Sequence, residues 1–595
     1  MVDRTHFVPK HTGCSILPCT PLFSRLLRFA HQHPPRPCIH DVRTSQTRTH
    51  IDLLTDVLAL RVVIYDALPP SAIAALHRQE EIYIAVIAAG GYEYAVAVLA
   101  ILAICAAAVP ITPALPVDEA VYFIQKSRAA LILTSMPENS KGEALESRIR
   151  ATAPTSARPN PQDFTHLSIG PVLMNKALKP EDILVSSNRY LDENAPAIVI
   201  FTSGTTGPPK GAVMRRAYVS DHALAVADHY ALTPNDRILH VLPVHHATGV
   251  GISFFPFLIA GAAIEFRSGS FDERWMWERW RAGVDDQDSS APRLTFFSGV
   301  PTIYMRMRRY YQLHLSKRPR KEVMRYEAGA KQFRACLCGT SALPRPLEEF
   351  WRGLLGKRIL QRYGATEFGA VFKAGLEDGD VPEGSVGETE PGVEIKLGGS
   401  GNAEEGEVLV KSPHMFSKYL HDPEATAKAH DEDGFFRTGD IARRTGKYYH
   451  ILGRASLDII KSGGYKISAL DIEREIIALP YIAEVMIVGV ADEEFGQRVA
   501  ALVSLRDEEL TPSYFQSHGN ERFALTIEDL RRELRHRLSG YKMPTLLRIV
   551  EGELPKTVTG KVQKNVLGPR FFPGDWGSCG DVQRWEGKTD VVARL

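Results

Sequence analysis

The chain has 595 residues, 44% of them apolar and 24% charged, and a net charge of +1. This composition excludes a disordered chain and a small disulfide scaffold, and the near-neutral balance supplies no field to draw the protein to nucleic acid or an anionic membrane. The length exceeds one ordinary domain and predicts two to four.

Taken in chain order, the N-terminal "MVDRTHFVPKHTGC" has no apolar core and carries Asp3, so neither a secretory nor a mitochondrial presequence is expected. "EIYIAVIAAGGYEYAVAVLAILAICAAAVPIT" predicts strand, turn, helix, strand, and "AVYFIQKSRAALILTS" predicts helix then strand. The most apolar stretch, Ala95 to Ile111, is shorter than the roughly 20 residues of a membrane span and contains Pro110. A buried helix feeding a strand is expected there, and no span. Between Ser135 and Ala195 the chain is rich in Pro, Asn and Ser with weak periodicity, which predicts surface loops. "RILHVLPVHHATGVGISFFPFLIAGAAIEF" and "LEEFWRGLLGKRILQRYG" repeat the alternation, so the fold class is α/β with a mostly parallel sheet. Turn clusters then lead to a strand at "GEVLVKSP". Beyond about Gly453, "ALDIEREIIALPYIAEVMIVGVADEEFGQRVAALVSL" and "TIEDLRRELRHRLSGYKMPTLLRIV" predict a compact α+β unit. Seven scattered cysteines point to reduced thiols in an intracellular compartment. Cys336 and Cys338, two apart, share one face of a predicted strand and read as core.

One stretch is chemically distinctive. "TSGTTGPPKG", Thr202 to Gly211, follows the β-branched run "APAIVIF". Glycines admit backbone N–H groups to phosphate oxygens, hydroxyls add donors, and Lys210 adds a point charge. The Walker A spacing fails, because two prolines separate Gly207 from Lys210. Further short motifs follow in order: "RYGATEFG", "RTGD", "GRASLDIIKSGGYKIS" and "PKTVTGKVQK". Each alone is a weak signal.

Together, in this order and at these separations, the motifs resemble the adenylate-forming (AMP-binding) superfamily of acyl-CoA synthetases, luciferases and peptide-synthetase adenylation domains, over roughly residues 20 to 570. The resemblance implies a large N-terminal domain of sheets with flanking helices, 21–453, after an N-terminal extension, 1–20. A small mobile lid, 454–570, and a tail, 571–595, complete it. It implies ATP, CoA and a carboxylic acid as reactants, with Mg²⁺ as the metal cofactor. In its terms Thr202, Ser203, Gly204, Thr205, Thr206, Gly207 and Lys210 form the ATP phosphate loop. Thr366 contacts phosphate and Glu367 holds Mg²⁺. Asp440 takes the ribose hydroxyls with Arg454 beside it, Gly339 lies under the adenine, and Tyr363 and Gly364 belong to the same nucleotide site. Lys561 reaches from the lid to make the acyl-adenylate. A hinge just after Arg454, near Ala455 and Ser456, then turns the lid and brings Gly464 toward the incoming thiol. His246, with His245 the weaker choice, stands at the acyl and pantetheine junction.

"GVPTIYMRM", "ILGRASLDIIKSGGYKISALDIE" and "FGQRVAALVSLR" are similar to the malonyl-CoA synthetase branch (acyl-CoA synthetase family member 3), which implies a short dicarboxylate. A second carboxylate in an acyl pocket needs a fixed cation, and Arg306 is the expected one. Thr248, in "HATG", replaces a histidine of that branch. A medium-chain or specialised-metabolite acyl-CoA ligase is therefore the alternative, as is a stand-alone adenylation enzyme loading a carrier protein. No carrier domain follows the lid, which favours CoA. A non-catalytic nucleotide binder would lack Glu367 or Lys561, and a luciferase-like oxygenase would show itself by light emission or O₂ uptake. The ending Ala593-Arg594-Leu595 resembles a peroxisomal address, so an import receptor is an expected partner and the expected location is peroxisomal or cytoplasmic.

Overall fold

The computed structural model describes residues 15–152, 163–174, 176–186, 191–202, 208–285, 291–340, 343–376, 381–398, 404–462, 465–506, 525–556 and 562–585. Strands and helices alternate as the pattern predicts. A seven-stranded sheet has the parallel strands Ala107–Ile111, Tyr83–Ile87, Leu131–Thr134 and Thr165–Ser168 on one side. On the other side lies the antiparallel pair Pro196–Thr202 and Lys210–Arg215, edged by Lys418–Tyr419. The apolar stretch forms helix Tyr92–Ala103, buried on every side, and runs into strand Ala107–Ile111. Asp41 caps that helix from another sheet: its Oδ2 accepts the Tyr92 N–H at 3.0 Å. A Cβ on Gly91 would fall 2.4 Å from the same oxygen, so glycine is needed for the approach.

The second sheet has thirteen strands and changes character along its width. Pro37–Asp41, Ala263–Phe266, Arg237–His240, Phe296–Gly299, Ala335–Cys338 and Leu360–Ala365 run parallel in that order. From Leu360–Ala365 onward the neighbours are antiparallel, beginning with Gly369–Lys373. Binding residues gather where a sheet changes topology in this way, because strand ends and turns leave a crevice there. Helices His50–Ala67 and Tyr92–Ala103 belong to the apolar cluster shared by both sheets. A second cluster, around Trp277, Trp280 and Trp351, contains Cys336 and Cys338, both buried as expected for core.

Residues 135–195 depart from the predicted loops. They include helix Asn139–Thr152 and strands Thr165–Ser168 and Ile183–Val185. The helix was hard to see because its sequence is polar: Leu145 and Ile149, one turn apart, are its fully buried apolar residues. After Arg454 comes the hairpin Ile459–Ser462 with Tyr465–Ser468, then helix Ala469–Ile476, capped by Ser468. A four-stranded sheet follows, with strands Ile482–Asp492, Gly496–Leu505, Leu546–Val550 and Val582–Arg584. Among the described residues no helix is long and apolar enough to cross a membrane.

Candidate active site

Two small hydrogen-bonded groups meet on one hairpin. Strands Leu360–Ala365 and Gly369–Lys373 pair antiparallel with Ala365 opposite Gly369, so Thr366, Glu367 and Phe368 make the turn. The turn is sequence-determined. Gly369 has φ +72°, and a Cβ on Gly364 would lie 2.0 Å from the Gly369 carbonyl oxygen.

The first group starts at Tyr363. Its hydroxyl donates to Asp440 Oδ2 at 2.7 Å, and Arg454 Nε lies 3.0 Å from Asp440 Oδ1. Asp440 and Arg454 face each other across the antiparallel strands Phe436–Thr445 and Tyr448–Arg454, so strand register sets the pair. The Asp440 N–H is held by Thr438 Oγ1 at 3.0 Å. Burial, then the Asp440 charge, pushes the Tyr363 phenol well above its usual range, so it stays a donor. An oriented carboxylate of this kind suits a pair of hydroxyls.

The second group starts four residues on. Glu367 Oε1 accepts from the Tyr419 hydroxyl at 2.8 Å, and the Glu367 carbonyl accepts the Phe416 N–H at 2.7 Å. The Lys210 ammonium sits 5.2 Å from the centre of the Tyr419 ring. Lys210 in turn pairs with Thr202, whose hydroxyl donates to the Lys210 carbonyl at 3.3 Å. The Gly/Thr stretch is thus closed at its base by a strand pair, and its lysine and the turn's glutamate share one tyrosine. Tyr419 carried no motif signal; only pairing of strand Lys418–Tyr419 with Lys210–Arg215 brings it in. Ser203, Gly204, Thr205, Thr206, Gly207, Gly464 and Lys561 lie outside the described residues.

Gly339 ends strand Ala335–Cys338, and a Cβ there would meet Arg362 Cγ and Nε at 3.3 Å. Thr340 follows at φ +72°, a strained conformation for a β-branched residue. His246 is the N-cap of the short helix Ala247–Gly251, and its ring lies 4.6 Å from that of His245. Burial, then His246, lowers the His245 pKa to about 3, so His245 is neutral.

Arg306 stands on helix Pro301–Tyr310. Its side chain is 45% exposed, lies 2.5 Å from Glu273 and covers the Phe271 ring at 5.0 Å. A different arginine is sealed at the strand ends. Arg362 is 7% exposed and donates from Nη2 to Ser298 Oγ at 3.4 Å. The buried Tyr230 hydroxyl lies beside this guanidinium, within reach of a hydrogen bond to it. A buried guanidinium is costly unless an anion neutralises it.

Comparison with known proteins shows the family of the chain. Residues 27–420 match the AMP-binding enzyme and residues 471–561 the AMP-binding enzyme C-terminal domain. The chain belongs to the AMP-binding enzyme family. A CoA ligase of Gibberella moniliformis is 33% identical across 82% of this chain and 85% of its own. The mitochondrial malonate–CoA ligase of Mus musculus is 34% identical across 78% of each. Among solved structures, ATP-bound MatB from Rhodopseudomonas palustris has a TM-score of 0.72 at 24% identity, covering 93% of this chain and 98% of that one. Its fold, a large unit of sheets and helices plus a smaller C-terminal one, is the fold seen here.

Proposed function

We propose that this AMP-binding enzyme is an ATP-dependent acid:CoA ligase of the AMP-forming type, acting on a short dicarboxylate. The observation that carries the reading is the meeting of Tyr363–Asp440–Arg454 with Lys210–Tyr419–Glu367 on one hairpin. A ribose-binding carboxylate and a phosphate-binding lysine with an acidic neighbour are what an adenylating site needs.

In the first half-reaction a carboxylate oxygen of the acid attacks the α-phosphorus of ATP. An O–P bond forms and pyrophosphate leaves. Asp440, oriented by Tyr363 and Arg454, holds the ribose, and Lys210 with the preceding loop screens the phosphates. Glu367 fits a hard cation: Tyr419 takes Oε1, which leaves Oε2 as a carboxylate donor, and Mg²⁺ binds through one or two such oxygens plus phosphates. When bound, the ion offsets charge on the departing pyrophosphate. Lys561 is the proposed lid lysine of this step. In the second half-reaction the CoA sulfur attacks the acyl carbon, the thiol proton is lost and AMP leaves. A turn of the lid after Arg454, with Gly464 moving in, would admit the thiol.

The diacid reading is supported by the similarity to a malonate–CoA ligase and by Arg362. Its guanidinium, buried beside Gly339 and Ser298, is suited to a second carboxylate. The test is acid-dependent pyrophosphate release across malonate, methylmalonate, succinate, butyrate and octanoate, with and without CoA. AMP and pyrophosphate should form with a short diacid, and thioester only with CoA. ADP and phosphate would refute the chemistry; equal rates with octanoate would refute the diacid.

A further inference from the structure

Lys564 is buried in the small unit between two carboxylates. Its ammonium lies 2.5 Å from Asp458 Oδ1 and 2.7 Å from Glu473 Oε1, and all three side chains are less than one-fifth exposed. Asp458 also reaches back across the segment after Arg454. Its Oδ2 accepts the Arg454 N–H at 2.9 Å, and its own N–H donates to the Arg454 carbonyl at 2.7 Å. The approach depends on Gly453, at φ +126°, where a Cβ would fall 2.4 Å from Asp458 Cβ. An unbroken chain of polar contacts therefore runs Tyr363–Asp440–Arg454–Asp458–Lys564–Glu473. Glu473 fastens its far end to the small sheet by accepting the Ile487 N–H at 2.7 Å. A buried ion cluster is a poor source of stability, since desolvation cancels most of the attraction. Its worth lies in fixing geometry.

We infer that Lys564 is a positioning residue for adenylate formation: by holding Asp458 against the backbone of Arg454, it sets the Asp440–Arg454 pair. The inference rests on the two-step reaction proposed above. Thioester formation should not need this contact, because a turn of the lid after Arg454 would part Arg454 from Asp458.

The test measures both half-reactions in the full chain: pyrophosphate release, and thioester formation from supplied acyl-adenylate and CoA. Lys564→Met should lower the adenylation kcat on the order of 10²-fold, the usual scale for a misplaced catalytic constellation. KM for the acid and the thioester rate should stay within about threefold of wild type. Lys564→Met alone leaves two buried carboxylates without their cation. Lys564→Met/Glu473→Gln, which preserves the net charge of the cluster, is therefore measured beside it and should show the same split at an unchanged thermal midpoint. If the double variant does not fold, Asp458→Asn should show the split. Equal loss of both half-reactions, or adenylation kept within about threefold, overturns the inference. A wild-type chain that releases no pyrophosphate with any acid would instead sink the function beneath it.

Discussion

Arg306 and Arg362 differ in what surrounds them, and the difference was partly visible in the sequence. Helix Pro301–Tyr310 buries Pro301, Tyr304 and Met307, spaced three apart, so Arg306 stands about half a turn away, on the outer face. Proximity to a family-like motif points to Arg306, and the helix face leaves its side chain exposed, with Glu273 as its partner. Arg362 had only the signal of a charge inside a short strand, "LQRYG", which carries no meaning until Gly339 and Ser298 are known to adjoin it. Arg362→Met should raise KM for the diacid by about 30-fold or more, the scale of a lost buried charge-assisted contact, and leave KM for ATP near wild type. Arg306→Ala should change the diacid KM by less than about threefold, as for other exposed ion pairs. The reverse ranking would restore the reading from the motif. Tyr419→Phe takes the donor from Glu367 without touching the loop. It should raise the Mg²⁺ concentration giving half-maximal pyrophosphate release several-fold, and an unchanged Mg²⁺ titration would show that Tyr419 does not orient Glu367.

The elements that hold the site were the easiest part to foresee. Alternating apolar runs predicted the helix and strand order from Tyr83 to Thr134 and again over Arg237 to Phe266 and Leu347 to Gly364, because buried parallel strands are continuous apolar runs. Helix Asn139–Thr152 escaped because a surface helix with two inward residues leaves almost no periodic signal. The hairpin carrying Tyr363 and Glu367 was recognised by its motif, yet its tightness follows from atoms no motif states. Gly364→Ala would drive a methyl to 2.0 Å from a backbone oxygen, far inside contact distance. The turn must open, moving Glu367 away from Tyr419. Adenylation should fall by at least about 10²-fold, as for a misplaced catalytic group, while Gly353→Ala, in open space on helix Arg345–Leu355, should be neutral. Comparable rates for the two variants would mean the hairpin tolerates rearrangement.

At the scale of the whole molecule, one site is proposed to serve two steps by motion of the small unit. Lys561→Ala should lose adenylation by about 10²–10³-fold, roughly 3–4 kcal/mol, and still convert supplied acyl-adenylate to thioester. Gly464→Leu should do the opposite; loss of both steps in both variants would exclude two working orientations. Acid stability follows from buried histidines. Burial lowers the pKa of His50 and His240 to about 4, below the value near 6.5 expected when unfolded. Their contribution is intact above pH 6.5 and shrinks as pH falls toward 4, at up to about 1.4 kcal/mol per pH unit each. Urea midpoints measured at pH 7, 6, 5 and 4.5 should therefore fall with steepening slope, and a flat profile would contradict it. The pairing of strand Lys418–Tyr419 with Lys210–Arg215 has a further consequence, for synthesis on the ribosome. Ser417 Oγ donates to the Val213 carbonyl, 204 residues earlier in the chain. At about 5–20 residues per second, that strand emerges and then waits roughly 10–40 s for its edge to be covered. An uncovered edge recruits other strands. The nascent protein is most exposed to aggregation in this interval, before Tyr419 exists to complete the site, and nucleotide in the cell cannot yet shield it.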